Sequence, residues 1–279
     1  MTYFLVSDIH SFYTPFIEAL EQVGYDKNNS EHTLVLLGDL FDRGNETLAL
    51  YEFLKSIPKS NLCLIKGNHE SLFFSLLKKD FPDTWDFSNG TVKTFCHIAG
   101  VNPAELDFKE IAREYYKRGD TPNMRYLNYK LHSLWKDVCS TVASHEITAW
   151  LASDEWLNYL EFGNNICVHS FVPLDKFGNI EGWRDANQEA WENARWGCPW
   201  KQFKAGLFKS ETEKGKTLCV GHWHSEDFHR VFDDRPNDFS LYFSNEVIAL
   251  DGCTALTNNV EILKITSEGY FNKYGIRLN

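Results

Sequence analysis

Short runs rich in β-branched and apolar residues recur along the chain, each ending in small or polar residues: Tyr3–Ser7, Thr33–Gly38, Leu62–Gly67, Asn165–Ser170 and Thr217–Gly221. Runs of this length and boundary predict buried strands whose carboxyl ends open onto loops. Between the first three lie stretches with apolar residues at helical spacing, Phe16–Val23 and Glu46–Ile57, the second carrying Glu52 and Lys55 on its polar face. This β-α-β-α-β order predicts right-handed crossovers and a largely parallel sheet. After Glu70 the pattern turns helical over Leu72–Lys79, Ala104–Arg118, Tyr126–Val138 and His145–Leu160. A helical insertion over about 72–162 is expected, too long for an ordinary connection. Strands return past Leu207, where Ser240–Asp251 and Val260–Thr266 read as a closing antiparallel pair joined through Thr257-Asn258-Asn259. No internal repeat, low-complexity stretch or linker interrupts the chain, so one domain over 1–279 with an inserted helical cap is the simplest account.

Composition narrows this picture. At 279 residues and 43% apolar content the chain can bury a full core. Its seven cysteines are scattered without a Cys-x-x-Cys pair, and several, such as Cys63 and Cys219, sit inside apolar runs. They read as buried thiols in a reducing compartment. The first apolar run is short and leads straight to Asp8 and His10, unlike a secretory signal, and no run approaches the roughly 20 apolar residues of a membrane helix. A cytoplasmic protein without membrane contact is expected. The net charge of −11 argues against a duplex nucleic-acid groove, which needs clustered Lys and Arg. If so acidic a chain handles phosphate, charge must be neutralised locally, and metal ions are the obvious means.

Five motifs fall just after predicted strands, where open α/β sheets place their ligands. They are Asp8-Ile9-His10, Gly38-Asp39-Leu40-Phe41-Asp42-Arg43-Gly44, Gly67-Asn68-His69-Glu70, Val168-His169-Ser170 and Gly221-His222-Trp223-His224. They offer carboxylate oxygen, amide oxygen and imidazole nitrogen but no thiolate, a mixture that suits Mn²⁺, Fe²⁺ or Zn²⁺. Singly each has a plain structural reading: Asp8 or Asp39 as a helix N-cap, His69 as a first-turn residue, Gly221 as a turn. Five such strand ends in this order have no structural reason to coincide.

Together the motifs resemble the calcineurin-like metallophosphoesterases, in particular the branch of phosphoprotein phosphatases and symmetrical diadenosine tetraphosphatases. Glycine before Asp39 and Asn68, and the Asp42-Arg43-Gly44 triplet, carry the likeness to that branch. It extends to Trp150-Leu151 and Tyr159-Leu160-Glu161 before the fourth motif, and to Ile248–Cys253 with Val260–Leu263 near the end. The resemblance implies an α/β fold with central β-sheets stacked as a β-sandwich and flanked by helices. It implies two divalent metal ions, Mn²⁺ foremost, with Fe, Zn or Ni as alternatives. Asp8 and His10 would bind the first, Asp39 would bridge both, and Asn68, His169 and His222 would complete the second. Two cations roughly 3.5–4 Å apart repel, and shared anionic ligands offset that repulsion. The implied reaction is in-line attack on phosphorus by a metal-bridging hydroxide, without a phosphoenzyme. His69 would protonate the leaving oxygen, Asp42 would fix its tautomer and raise its pKa, and Arg43 would clamp a phosphate oxygen. The plain alternative for Arg43 is a surface ion pair.

Some positions depart from the branch. A second histidine, His224, is more typical of the wider superfamily, and it reads either as a further ligand of the first metal or as an outer or surface residue. Ala194-Arg195-Trp196-Gly197-Cys198-Pro199-Trp200-Lys201 loosely resembles the phosphatase Leu-Trp region, which makes Arg195 and Lys201 candidates for a second phosphate cation, or else solvated surface charges. Trp183, Trp191, Trp196, Trp200 and Trp223 crowd the later half, and Trp223, between His222 and His224, is the one expected to face substrate. The first functional reading is a serine/threonine protein phosphatase acting on a phosphomonoester in a phosphorylated protein or peptide, supported by Glu70. The alternative is hydrolysis of diadenosine tetraphosphate or a related nucleotide, supported by Trp223, the length and the large helical insert. A nuclease or cyclic-nucleotide diesterase, and a non-catalytic binding protein, rank below these.

Overall fold

The computed structural model describes residues 1–107, 124–209 and 213–278. Two sheets form its centre, and the strand sequences show why. In β1 (Thr2–Val6) and β2 (His32–Leu36), Phe4, Val6, Leu34 and Leu36 face an outer layer of helices, while Leu5 and Val35 face inward. In the second sheet, β6 (Asn165–Cys167), β7 (Thr217–Val220) and β9 (Val247–Ala249) turn Ile166, Leu218, Val220, Val247 and Ala249 outward, and Cys167, Cys219 and Ile248 inward. Side chains alternate across a pleated strand, so apolar residues on both faces bury the sheet on both sides. The inward residues of both sheets form one cluster, which is the core of a β-sandwich. Leu5, Val35, Cys219 and Ile248 in it are fully buried, and truncating a buried Leu to Ala costs about 2–5 kcal/mol.

The first sheet has the order β12-β11-β10-β1-β2-β3-β4, with β3 at Leu62–Ile65, β4 at Trp156–Leu157, β10 at Leu263–Thr266, β11 at Gly269–Phe271 and β12 at Arg277–Leu278. Strands β1 to β4 are parallel, with α1 (Tyr13–Gln22) and α2 (Thr47–Lys55) as crossovers, and β10 to β12 are antiparallel. The second sheet runs β5-β6-β7-β9-β8, with β5 at Leu160–Phe162 and β8 at Tyr242–Phe243. Both sheets are therefore mixed, and the parallel order expected from the first strands holds for β1 to β4 in the first sheet and for β6, β7 and β9 in the second.

Between β3 and β4 the described residues are helical: α3 (Asn68–Leu76), α4 (Thr84–Asn89), α5 (Thr91–Ala99), α6 (Met124–Ser144) and α7 (Glu146–Leu151). Leu127, Leu131, Trp135, Val138 and Val142 make one buried stripe on α6, and the Trp135 ring stacks on Phe95 of α5. The helix expected over Ala104–Arg118 lies beyond residue 107 outside the described residues, and Pro103–Glu105 forms a single 3₁₀ turn.

Two expected elements are corrected. The helix over His145–Leu160 ends at Leu151. Trp156 donates its Nε1–H to the Trp150 carbonyl, is buried, and begins β4, which pairs with β3 through Ile65 and Leu157. The closing antiparallel pair does not form either. β9 pairs with β7 in the second sheet, whereas β10 pairs with β1 in the first, Tyr3 opposite Ile265. A short helix, Thr254–Thr257, carries the chain across, and burial of Val260 and Ile262 in the helix-side layer of the first sheet fixes the segment there.

All seven cysteines are free thiols. No helix among the described residues is long and apolar enough to cross a membrane.

Candidate metal centre

The parallel strands of both sheets end at the same edge, and each end delivers a ligand-type side chain: Asp8 after β1, Asp39 after β2, Asn68 after β3, His169 after β6 and His222 after β7. Asp251 follows β9 in the same way. Close approach of the loops requires glycine. A Cβ on Gly67 would lie 2.2 Å from Asp39 Oδ1, and one on Gly38 would lie 2.5 Å from the Gly67 backbone and 2.8 Å from His169 Nδ1. Asp8, His10, Asp39, Asp42, Arg43 and His222 all take left-handed backbone conformations, with φ between 51° and 76°. Such strain in non-glycine residues persists only where the surrounding structure enforces it, and it gathers at functional sites.

Asp39 lies at the middle. Its Oδ2 is 3.9 Å from His10 Nε2 and 3.8 Å from His69 Nε2, and its Oδ1 is 3.4 Å from His169 Nε2. The two oxygens thus face two donor groups, His10 with His69 and His169 with His222. Hydrogen bonds set the tautomers. His10 donates Nδ1–H to the Phe41 carbonyl at 2.9 Å, and His169 donates Nδ1–H to the Leu37 carbonyl at 2.6 Å. Each Nε2 is then a lone pair turned inward. His169 Nε2 meets Asn68 Oδ1 at 2.9 Å, two acceptors face to face. His10 Nε2 likewise faces Asp8 Oδ1 at 4.0 Å. Asp8 Oδ2 accepts the His222 backbone N–H at 2.9 Å and ties the two sheets together.

Electrostatics agree with a cation site. Burial pushes the His10 and His169 pKa values down, and burial with His169 pushes His222 down to about 3, so these imidazoles are neutral donors. Burial alone would raise Asp39, but protonation of His169, His69, His10 and His222 would outweigh it and hold the carboxyl below its usual range. Asp8 is pushed up by burial and by Asp251 and Asp39. Asp8, Asp39 and Asp251, each at most 4% exposed, converge among neutral nitrogen and oxygen donors. Bound divalent cations compensate such buried charge and satisfy the facing acceptors. The residues present fit them.

The family profile of calcineurin-like phosphoesterases matches residues 1–250. The chain belongs to that family. The family is one of metallophosphoesterases, hydrolases acting on phosphate esters. Among similar proteins, the asymmetrical bis(5'-nucleosyl)-tetraphosphatase of Bacillus velezensis is 27% identical over 124 residues, 42% of this chain and 48% of that one. The symmetrical bis(5'-nucleosyl)-tetraphosphatase of Proteus mirabilis is 40% identical over 70 residues, 25% of this chain and 24% of the relative. The matched part is thus about half or less of these relatives' length. A cold-active protein-tyrosine phosphatase from a psychrophilic Shewanella has the same fold, with a TM-score of 0.56 at 15% identity over 99% of this chain and 79% of its own. A serine/threonine phosphatase of Saccharomyces cerevisiae reaches 0.51 at 12% identity over 96% of this chain and 73% of its own.

Beside the donor groups, His69 Nδ1 lies 2.6 Å from Asp42 Oδ2, and Arg43 Nη2 lies 3.4 Å from His69 Nε2. Burial lowers the His69 pKa, but Asp39 and Asp42 outweigh it and raise it overall. Other expected residues stand elsewhere. His224 is outside both donor groups, its Nε2 3.9 Å from Asp251 Oδ2. Arg195 is buried and bonded to Glu192 and Asn158. Trp223 is half-buried, donating Nε1–H to the Gly197 carbonyl at 3.1 Å. Trp196 is 43% exposed, and its ring stands edge-on to His222 with centroids 6.2 Å apart.

Sequence reasoning missed three supports. Thr91 and Thr94 on α5 donate their hydroxyls to Asp42 Oδ2 and Oδ1 at 2.8 and 2.7 Å. Asp251 was legible only as part of a closing strand. Glu70, read as a substrate marker, accepts the backbone N–H of Gly67 and Asp39 on Oε2 and of Leu40 on Oε1. It holds the loops after β2 and β3 together.

Proposed function

We propose that this metallophosphoesterase hydrolyses a nucleoside polyphosphate such as diadenosine tetraphosphate. The observation that carries the reading is Trp196, a large aromatic face left exposed beside His222. Base–aromatic stacking contributes about 1–3 kcal/mol per base, so such a face beside a phosphate centre favours a nucleoside. The tetraphosphatase relatives support the same class. Phosphomonoester hydrolysis on a phosphoprotein is the second reading. Its support in Glu70 is weakened, because that carboxylate is engaged by three backbone N–H groups.

We assign Asp8, His10, Asp39, Asn68, His169 and His222 as the residues that hold two divalent ions, Mn²⁺ first among them. When bound, these ions supply Lewis acidity and an activated water at neutral pH. His69, oriented by Asp42, carries the proton for the leaving oxygen on Nε2. Arg43, whose guanidinium sits at that same nitrogen, takes a phosphate oxygen when substrate enters. The helices between β3 and β4 act as an insertion in a single domain, and through Thr91 and Thr94 they fix the Asp42–His69 pair. The test is phosphate release by Mn²⁺-loaded protein from diadenosine tetraphosphate, a phosphothreonine peptide and p-nitrophenyl phosphate, beside Asp39→Asn and His69→Ala. Preference for the dinucleotide supports the proposal. Preference for the peptide replaces it with the second reading, and turnover unaffected by Asp39→Asn removes the metal assignment.

A further inference from the structure

Arg43 is exposed, and among the described residues its guanidinium has no carboxylate partner; it reaches His69 Nε2 at 3.4 Å. With no ion pair to direct the side chain, the backbone has to aim it. That backbone is strained. Arg43 has a φ of 59°, and the Gly44 N–H returns to the Asp42 carbonyl at 2.6 Å, which closes a γ-turn on Arg43. A γ-turn with positive φ at its centre is the rarer, strained form, and it persists only where neighbours over-determine it.

Two of those neighbours lie at the start of α5. Gly90, the residue before the helix, has a φ of 85°, and a Cβ there would meet the Arg43 backbone nitrogen and lie 2.9 Å from its Cα. Lys93 Nζ donates to the Arg43 carbonyl at 2.7 Å. Lys93 is half-buried, has no ion pair among the described residues, and stands in the first helical turn, where the helix dipole disfavours a cation. Neither helix energetics nor a charge pair accounts for a lysine there, whereas the bond to Arg43 does. The start of α5 therefore meets Arg43 on both sides, its nitrogen at Gly90 and its carbonyl at Lys93. These contacts are distinct from the bonds of Thr91 and Thr94, which go to Asp42. We propose that Lys93 is a positioning residue of the reaction, holding the Arg43 turn so that the guanidinium is presented to a substrate phosphate. The proposal rests on the reading of Arg43 as the group that takes a phosphate oxygen. Without Lys93 the turn relaxes and the guanidinium leaves its line, so phosphate binding weakens while the donor groups stay in place.

A double-mutant cycle tests it without reading activity. Phenylphosphonate, a phosphoester analogue that does not turn over, is titrated into the Mn²⁺-loaded full chain and its Kd measured by calorimetry. Lys93→Met keeps the aliphatic stem and removes the donor, and it is expected to raise Kd about threefold to tenfold with Mn²⁺ content and thermal midpoint unchanged. Lys93→Arg restores a donor and should recover most of that loss. Arg43→Ala should weaken binding more than Lys93→Met does, and adding Lys93→Met to it should change Kd no further. An unchanged Kd in folded Lys93→Met, or the same fold-loss with and without the Arg43 side chain, would overturn the proposal and leave the reading of Arg43 intact. An unchanged Kd in Arg43→Ala would instead remove that reading, and the role of Lys93 with it.

Discussion

His69 Nδ1 and Asp42 Oδ2 are 2.6 Å apart, and both oxygens of Asp42 are further held by threonine hydroxyls from α5. Asp42 is fixed before it meets His69, so the imidazole is held in one tautomer with Nε2 directed toward the Asp39 side of the centre.

Replacing Asp42 by Asn keeps the shape and removes one of the two charges, with Asp39 the other, that raise the His69 pKa. The expected outcome is a fall in kcat of about 10²–10³-fold with KM little changed, since general-acid catalysis contributes about 10²–10⁴-fold. Thr91→Val with Thr94→Val should give a smaller loss, about tenfold, and also narrow the pH–rate profile on its alkaline side. Steady-state kinetics across pH would show it, and an unchanged profile in both variants would remove His69 as the acid.

The contact between Gly67 and Asp39 predicts a severe effect from one methyl group. Gly67→Ala places a Cβ against the Asp39 carboxylate and backbone nitrogen, at 2.2 and 2.6 Å, so loops from β2 and β3 must separate. A loss of about 1–3 kcal/mol in stability is expected, as for overpacked interiors. Metal content measured by elemental analysis should fall with it. Gly24→Ala, where the added Cβ meets nothing, strains only the backbone and should leave metal content intact.

Much of this centre was legible because β-strands punctuate the sequence sharply. Apolar runs mark the strands, and the parallel strands end at one edge, so Asp8, Asp39, Asn68, His169 and His222 can be grouped from the sequence. What was not legible depends on contacts between distant segments. Thr91 and Thr94 sit in an ordinary amphipathic helix, and only the packing of α5 against the loop after β2 brings them to Asp42. Asp251 was hidden by the expected hairpin, because Val260–Thr266 reads as a partner for the preceding strand until its pairing with β1 is seen. The same limit applies to the tryptophans. Trp223 stands in the most suggestive sequence position, yet its indole is bonded into the Gly197 loop and Trp196 presents the open face.

Glu70 gives a pH dependence to the metal-free protein. Burial and the charge of Asp39 push its carboxyl from 4.5 up to about 7. A carboxyl raised on folding adds stability in full below its unfolded pKa, and that contribution disappears as pH rises through the folded value. Chelated protein should therefore lose stability between about pH 4.5 and 7, on the order of a few kcal/mol. Glu70→Gln should flatten that part of the curve of thermal midpoint against pH. A wild-type slope of the opposite sign would show that the carboxylate is favoured in the fold by its three N–H donors.

Chelation and reloading test the compensation of the buried carboxylates. A ligand bound only by the folded state adds about 2.7 kcal/mol at a hundredfold excess over its Kd. Mn²⁺ should raise the melting temperature of the chelated wild type, and Asp39→Asn should lose most of that rise because both donor groups share this residue. An equal rise in the variant would place the stabilising ion elsewhere.

Trp196 separates the two substrate readings. Its ring is 43% exposed and stands edge-on to His222, whereas the Trp223 indole is tied to the Gly197 carbonyl. Removing the exposed ring takes away a stacking surface and leaves the donor groups untouched. Loss of one base stack is worth about 1–3 kcal/mol, so Trp196→Ala should raise KM for diadenosine tetraphosphate by roughly 5- to 100-fold. Inorganic tripolyphosphate offers the same anhydride chemistry without a base, and its KM should change far less. Trp223→Ala acts differently: it frees the Gly197 loop and should lower kcat for both substrates together. Equal KM changes for the dinucleotide and tripolyphosphate in Trp196→Ala would mean that no base rests on that ring, and the phosphoprotein reading would then take precedence.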